Sequence, residues 1–489
     1  MGRRLWLPPT PALPHKGEGD CTRGALSPVP AYSIAQQHPF SSLTVRKFQP
    51  NLQFELGGVG DRCDSKSMTK RHFPVAVIGA GPYGLSLSAH LAARGCMPAI
   101  FGRPMESWRF GTPPGMRLKS EGFASSLSDP DGEFTLKSFC RSAGLAYADM
   151  NLPTPVGTFI AYGEAFQERF APQLDTRLAR QIRKIPRGFD IELEDGTNVT
   201  AGQCAIATGL QGFEYVPEAL RPLSRERLAH TAKLHDYSVF AGARMLVVGA
   251  GASATNAAGE LLREGAEVTL ACRDSQLRFY PGGGERGLKE ALKAPMSPIG
   301  PGWGKWAASR FPGVFRSLPE RVRVKIVDGT LGPAPAWYVR EEIEGKIAVL
   351  AGQSITAARE THDGVEVEMT DRDGVQTTHV FDYVIAGTGY RVDVDRLRFL
   401  SPALRTGLAR VGGAPRLSRR FETSISGLYF LGVTAAYQFG PALRFVCGAE
   451  YASRCASAAM VAAMSGRTVE AEEARPEFKV AELNAPTRG

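Results

Sequence analysis

The chain is 489 residues long, 43% hydrophobic and 22% charged, with a formal net charge of +9. That length is too great for a single core and implies two or three domains, and the composition is that of a soluble globular protein. Residues 1–71 hold ten Lys/Arg against five Asp/Glu, so +5 of the charge lies there; the mildly basic remainder has no Lys/Arg cluster interleaved with aromatics, and nucleic acid is excluded as an expected partner.

Residues 1–67 are rich in Pro, Gly and Ser and lack sustained periodicity, which predicts a disordered N-terminal extension. Arg3 and Arg4 precede Leu5-Trp6-Leu7, but Pro8, Pro9, Pro11 and Pro14 break the apolar run that a secretory signal needs. Folding is expected from Met68 onward. The first strand, Val75 to Ile78, runs into Gly79-Ala80-Gly81-Pro82-Tyr83-Gly84 and an Ala/Leu-rich stretch. Short apolar run, closely spaced glycines and helix form one dinucleotide-binding unit: the first glycine permits the turn, the second admits a pyrophosphate, and the third lets helix and strand pack. The helix N-terminus then offers free N–H groups to the phosphates.

A second strand is expected at Met97–Phe101, a Gly/Pro/Ser-rich loop at 102–131, and helices at Leu136–Ala143 and Gly157–Phe170. Strands Arg177–Ile185, Phe189–Leu193, Asn198–Thr200 and Cys204–Ala207 follow, with a hairpin turn at Asp195-Gly196, and the meander ends in Ala207-Thr208-Gly209.

About 170 residues after the first glycine turn the order begins again. Met245–Val248 leads into Gly249-Ala250-Gly251-Ala252-Ser253-Ala254, a second strand is expected at Glu267–Ala271, and strands at Ile355–Glu360, Val365–Met369 and Tyr383–Ala386 end in Gly387-Thr388-Gly389-Tyr390. The repetition reads as duplication of a whole domain. One such unit binds one dinucleotide, and two imply hydride transfer between nicotinamide and flavin. Residues 274–345 form an insertion with several prolines and Trp303, Trp306 and Trp337, read equally as part of a substrate pocket or as a packed lid or dimer surface. The apolar stretch Pro441–Met464 is interrupted by Arg444, Glu450 and Arg454, so a buried helix is expected rather than a membrane span.

The position that normally carries the ribose-binding acid of the first unit is Gly102, which cannot serve; Glu106 close by, or loop backbone, is the expected substitute. In the second unit that position is Arg273, which suits the 2′-phosphate of NADPH, with Arg278 and Arg286 as helpers. The eight cysteines include no CxxC or CxxxxC pair, which disfavours a zinc site and a dithiol reductase and suits a reducing compartment, with cytoplasmic localisation expected.

These motifs together resemble the flavin-dependent monooxygenases with two dinucleotide domains: the flavin-containing monooxygenases, Baeyer–Villiger monooxygenases and ornithine/lysine N-hydroxylases. The resemblance spans about residues 72 to 465. It implies an α/β fold of two Rossmann-like three-layer domains. FAD would lie in a discontinuous first domain, 68–215 and 390–470, and NADPH in 216–389, with a flexible tail at 471–489. Glu106, Ser107, Trp108 and Arg109 resemble the segment that runs past the flavin, and Met116 to Ser120, with Leu118 and Lys119, its continuation. Gly427–Gly432 resembles the strand returning to the FAD domain, and Phe439-Gly440-Pro441 the start of a helix aimed at the flavin. Arg109, Lys119 and Gln438 are the catalytic candidates. His230 resembles the histidine of the monooxygenase fingerprint, whose Phe and Gly are missing here; it reads equally as a linker residue. The implied activity is oxygenation of an N or S centre of a small molecule by dioxygen through a flavin C4a-hydroperoxide, in a possible homo-oligomer. The alternatives are a flavoprotein reductase or oxidase without oxygen insertion, and a non-catalytic sensor.

Overall fold

The computed structural model describes residues 70–280, 287–330 and 335–466. The extension expected at 1–67 and the tail at 471–489 lie outside the described residues. Contacts divide the chain at Met68, and the unit from Met68 onward holds both glycine turns.

The first half is β1 (His72–Ile78), α1 (Pro82–Ala93), β2 (Ala99–Phe101), α2 (Glu106–Phe110), α3 (Leu136–Ala143), α4 (Val156–Phe170), β3 (Ala179–Ile185), β4 (Gly188–Leu193) and β5 (Asn198–Ile206). Its strands form one sheet in the order β2-β1-β5-β4-β3, with β1 parallel to β2 and β5. The two short strands expected at 198–200 and 204–207 are one nine-residue strand, β5. The N-terminal part of its far edge pairs antiparallel with β4, through Phe189↔Ala201 to Glu192↔Asn198. The C-terminal part is free to receive a strand from much later in the chain.

The second half is β6 (Leu228–His230), β7 (Arg244–Val248), α5 (Ala252–Arg263), β8 (Glu267–Cys272), α6 (Leu288–Lys293), α7 (Trp303–Arg310), α8 (Pro312–Phe315), α9 (Glu320–Gly329), α10 (Trp337–Ile343), β9 (Ala348–Ala351), β10 (Ser354–Thr361), β11 (Gly364–Thr370), β12 (Gln376–Phe381) and β13 (Tyr383–Ala386). A wholly parallel sheet runs β6-β13-β7-β8-β9, and β10-β11-β12 is a separate antiparallel meander. The insertion, irregular by sequence, is mainly helical among its described residues. Pro312 and Pro319 stand at the first turn and at the cap position of α8 and α9, where a missing N–H costs nothing.

The chain then returns through α11 (Pro402–Gly407), β14 (Arg410–Val411), β15 (Ala414–Pro415), β16 (Leu428–Phe430), α12 (Ala436–Phe439) and α13 (Ala449–Met464). β16 pairs in parallel with the open end of β5, Leu428↔Cys204 to Phe430↔Ile206, so the first sheet is completed by distant sequence. Both halves are thus Rossmann-like, and the first is discontinuous. α13 lies along α1, where small faces permit close approach: Ser86, Ser88 and Ala89 on one helix, Ala452, Ala456 and Ala459 on the other, all buried. Leu85, Leu87 and Leu91 of α1 are also fully buried, on the order of 1.5–3 kcal/mol each.

The long C-terminal helix starts at Ala449 rather than at Pro441. Pro441 opens only a 3-10 turn, Pro441–Arg444, and Phe445 is extended (φ −123°, ψ 164°), which stops helical propagation. The helix start expected at Phe439-Gly440-Pro441 is therefore present only as this short 3-10 turn, with Pro in its first turn.

Candidate functional site

The first glycine turn is held by strand-end hydrogen bonds: Gly79 N–H donates to Phe101 O (2.8 Å) and Ala207 N–H to Ile78 O (2.8 Å). Gly79 has φ +111°, and a Cβ there would lie 2.5 Å from the Ala207 carbonyl oxygen. A Cβ on Gly84 would lie 1.8 Å from Gly79 O. These two glycines, and Ala207 with Thr208 opposite them, are required by the protein's own packing. Gly81 differs. Its backbone is extended (φ −90°, ψ −173°), and a Cβ there would meet nothing within 4 Å among the described residues. Gly81 caps α1 without a side-chain acceptor, so the helix N-terminus opens onto that space. The residues present therefore fit a phosphate-bearing cofactor.

The second turn repeats this. Gly249 N–H donates to Ala271 O (2.9 Å) and Gly387 N–H to Val248 O (2.8 Å). Gly249 has φ +136°, its Cβ would lie 2.3 Å from Gly387 O, and Gly251 (φ −88°, ψ 176°) caps α5 as Gly81 caps α1, again without a side-chain acceptor. Ser253 is half-buried in the first turn of that helix. The small residues are placed differently in the two turns. The first turn has Gly84 on the helix and Ala207 at the strand end, whereas the second has Ala254 and Gly387; a Cβ on Gly387 would lie 2.5 Å from Ala254 Cβ. At the first turn, by contrast, the Cβ that Gly84 lacks would meet Gly79 O and not Ala207, so the two small positions answer to different contacts. Gly209 (φ +66°) and Gly389 (φ +77°) then take the left-handed conformation at the two strand ends.

At the end of β2, Gly102 (φ +136°) packs against the first turn, with a would-be Cβ 3.1 Å from Ala80 N. An acidic side chain there is excluded by packing as well as by identity. Glu106, the expected substitute, is paired with Arg103 (2.9 Å). Arg273 is exposed directly beyond the C-terminal end of β8. Arg372, from the hairpin between β11 and β12, donates to the Arg273 carbonyl (3.3 Å) and adds a second guanidinium that sequence spacing could not locate. Arg278 is exposed, and Arg286 lies outside the described residues.

Loop 111–119 is gripped from the second half. His235 Nδ1 lies 3.0 Å from Thr112 O, and the Tyr338 hydroxyl donates to Arg117 O (2.7 Å). Lys119 Nζ sits 5.1 Å from the Tyr280 ring centre, and burial, then Lys305, pulls its ammonium down to about 8. Leu118 is buried, its N–H donating to Thr154 O (2.7 Å). Trp108 packs edge-on against Phe159 (4.8 Å), and Arg109 pairs with Glu164. Gln438 is 1% exposed and accepts from Arg323 Nη1 (2.9 Å). Arg109, Lys119 and Gln438 thus have separate partners and form no joint hydrogen-bonded group among the described residues.

Several of the expected site residues act on the scaffold. The Tyr83 hydroxyl is within reach of Leu443 O (2.9 Å) and Phe445 O (2.8 Å), tying α1 to the C-terminal segment; burial pushes its pKa well up. Gly432 (φ +78°) faces the Tyr83 ring, Phe439 is fully buried and stacks on Phe421 (4.1 Å), and Gly440 (φ +97°) faces the Phe315 ring. The two crossings between the halves are laced together. Tyr215 N–H donates to Gly389 O (2.9 Å), Thr388 Oγ1 donates to Tyr215 O, and Arg391 covers the Tyr215 ring at 3.5 Å. His230 Nδ1 accepts from Ala232 N–H (3.1 Å), which leaves Nε2 to donate to Gly389 O (3.0 Å), and its ring meets Tyr390 edge-on. Burial holds His230 below its ordinary pKa, so it is a neutral brace of the second strand end.

The family described as pyridine nucleotide-disulphide oxidoreductase matches residues 167–281. The probable indole-3-pyruvate monooxygenase YUCCA1 of Arabidopsis thaliana is 27% identical over 213 residues, covering 42% of this chain. The chain spans about half the length of such curated relatives, 48% for this one. Among solved structures, the ornithine N-hydroxylase of Kutzneria sp. 744, described with reduced FAD, NADP+ and L-orn, superposes with a TM-score of 0.63 at 15% identity, over 80% of this chain and 100% of that one. The bacillithiol disulfide reductase of Staphylococcus aureus gives 0.56 at 17%, over 80% and 99%. The chain has the fold of the two-dinucleotide-domain flavoproteins. Its resemblance to the flavin-dependent monooxygenases, carried in the sequence by the two glycine turns, is met among sequence relatives by YUCCA1, while the duplicated turn geometry and the solved structures show the shared fold. Among the described residues no helix is long and apolar enough to cross a membrane.

Proposed function

We propose that the protein is an FAD- and NADPH-dependent monooxygenase acting on an N or S centre of a small molecule. The observation that carries this is the paired turn: two helix N-termini without side-chain caps, one beside open space at Gly81 and one followed by an exposed Arg273 at its second strand. In this reading residues 68–215 and 390–470 hold FAD and 216–389 holds NADPH. The N–H groups at the start of α1 and α5 neutralise pyrophosphates, and Arg273 with Arg372 takes the 2′-phosphate. When bound, FAD reduced by NADPH supplies the activation of dioxygen. The chain's own contribution is to orient the two dinucleotides, to hold loop 111–119 between the halves, and to keep water from the reacting face.

The structural likeness to a disulfide reductase favours a second reading, reduction without oxygen insertion. Against it, the six cysteines among the described residues are all free, and no two have CxxC or CxxxxC spacing. Such free thiols accord with a reducing cytoplasm, and the reading leaves room for a homo-oligomer. Turnover of amines, thioethers and ketones with NADPH under 18O-labelled dioxygen decides between the readings. One labelled oxygen in an amine or thioether product supports the proposal, whereas NADPH consumption with no labelled product for any substrate supports the reductase or oxidase.

A further inference from the structure

A cavity of about 360 Å³ lies where the insertion meets the returning C-terminal segment, away from both glycine turns in sequence and lined on one side by Arg316, Arg323 and Gln438 and on the other by Arg416, Ser418 and Glu422. Its charges are poorly balanced. Arg416 pairs with Glu320 (2.9 Å), and Glu422 Oε1 is used by the Gly427 N–H (2.8 Å). Among the described residues, neither Arg316 nor Arg323 has a carboxylate within salt-bridge distance. Arg316 Nη1 donates to the Leu417 carbonyl (2.7 Å) and Arg323 Nη1 to Gln438 Oε1 (2.9 Å). That second bond fixes the amide, so Gln438 Nε2 points away from Arg323.

Two buried donors in this lining are left over. Among the described residues, Gln438 Nε2 and Arg323 Nε have no hydrogen-bond partner, and the two residues are 1% and 6% exposed. Buried donors are normally satisfied, and two beside clustered guanidiniums call for an acceptor that carries negative charge. Burial holds both Arg316 and Arg323 below the usual arginine range; at Arg316 the neighbouring Arg323 and Arg419 add to it, whereas at Arg323 Glu320 offsets part of it.

We propose that this cavity is a binding site for the oxyanion group of a small polar ligand, held by Arg316, Arg323 and Gln438 with Arg416 at the rim. The shared chemistry is a carboxylate or phosphate whose oxygens accept from guanidinium and amide N–H. The mainly polar lining excludes a large apolar body. The site does not depend on the oxygenation chemistry proposed above.

The test is thermal unfolding of the FAD-loaded full chain in inorganic phosphate, in acetate and in sodium chloride at matched ionic strength. A saturable rise in melting temperature with phosphate or acetate, beyond that with chloride, is expected. The anion that gives it shows whether the natural ligand is a phosphate ester or a carboxylate. Arg316→Gln and Arg416→Gln should each weaken the apparent affinity about tenfold or more, and Arg273→Ala should leave it unchanged. Arg416 is half exposed, so its variant carries the test should Arg316→Gln fail to fold. The proposal is overturned if neither anion exceeds chloride, if the rise survives in Arg416→Gln, or if Arg273→Ala abolishes it, which would put the anion at the NADPH turn.

Discussion

Gly79 and Gly81 stand two residues apart in one motif, yet their surroundings demand opposite outcomes on substitution. Alanine at Gly79 places a Cβ 2.5 Å from the Ala207 carbonyl oxygen and 2.8 Å from its carbon, at φ +111°. The neighbours are backbone of Ala207 and Thr208, just past the end of β5 and held there by the Ala207 N–H bond to Ile78 O, so they cannot move without loosening the strand end. A strained φ costs about 1–3 kcal/mol and overpacking about 1–3 kcal/mol more, so Gly79→Ala should lose about 2–6 kcal/mol. That is a large share of the roughly 5–15 kcal/mol that a domain has. At Gly81 the backbone is extended and a Cβ meets no atom of the described residues within 4 Å. Gly81→Ala should therefore fold with the stability of the parent apoprotein. The added methyl instead occupies the space assigned to the FAD pyrophosphate, and flavin should be lost. Denaturant unfolding of the apoproteins, with flavin absorbance of the purified proteins, separates the two effects. The reasoning is refuted if Gly81→Ala apoprotein unfolds early, or if Gly79→Ala is as stable as its parent.

At the second turn Gly387→Ala should destabilise by about 1–3 kcal/mol, because its Cβ would lie 2.5 Å from Ala254 Cβ and also 2.6 Å from Ala254 Cα and 3.0 Å from Ala254 N, so Ala254→Gly in the same chain should restore little of that loss; recovery of most of the stability in a double-mutant cycle would contradict it. Arg273→Ala should weaken NADPH binding by about 1.5–3 kcal/mol and leave NADH nearly unchanged, as read by titration with both coenzymes; equal losses would remove Arg273 from the 2′-phosphate. Burial, then Arg94 and Arg454, lowers His90 to about 4, and it faces Ser128 Oγ at 2.9 Å. The unfolded chain takes that proton near 6.5, so the stabilisation is full above about 6.5 and is lost between there and about 4, roughly 3 kcal/mol in all. His90→Gln should flatten this part of the stability–pH curve, and an unchanged slope would contradict the assignment.

What was legible in the sequence was local. Each glycine turn is dictated by neighbours a few residues apart, so two strand–turn–helix units and their order could be read directly, as could α3, α4 and the returning strand at 428–430. What was missed depends on distant partners. β6 is three residues long and exists because β13 offers an edge. The insertion looked irregular because its helices are short and separated by prolines and glycines. The run from Pro441 reads as one helix, but extended Phe445 divides it, and Tyr83 fastens the resulting loop to α1. At the site, Arg372 reaches Arg273 across 99 residues, and Gln438, expected at a flavin face, is committed to Arg323. No spacing rule connects such pairs.

The order of the two sites is tested most directly at Gly251, the counterpart of Gly81. Gly251→Val should be isolated yellow, with its FAD retained, and anaerobic mixing with NADPH should bleach the flavin far more slowly than in the parent, because NADPH binds reversibly at that turn. Isolation of Gly251→Val as a colourless protein, while Gly81→Val keeps its flavin, would reverse the assignment and contradict the account.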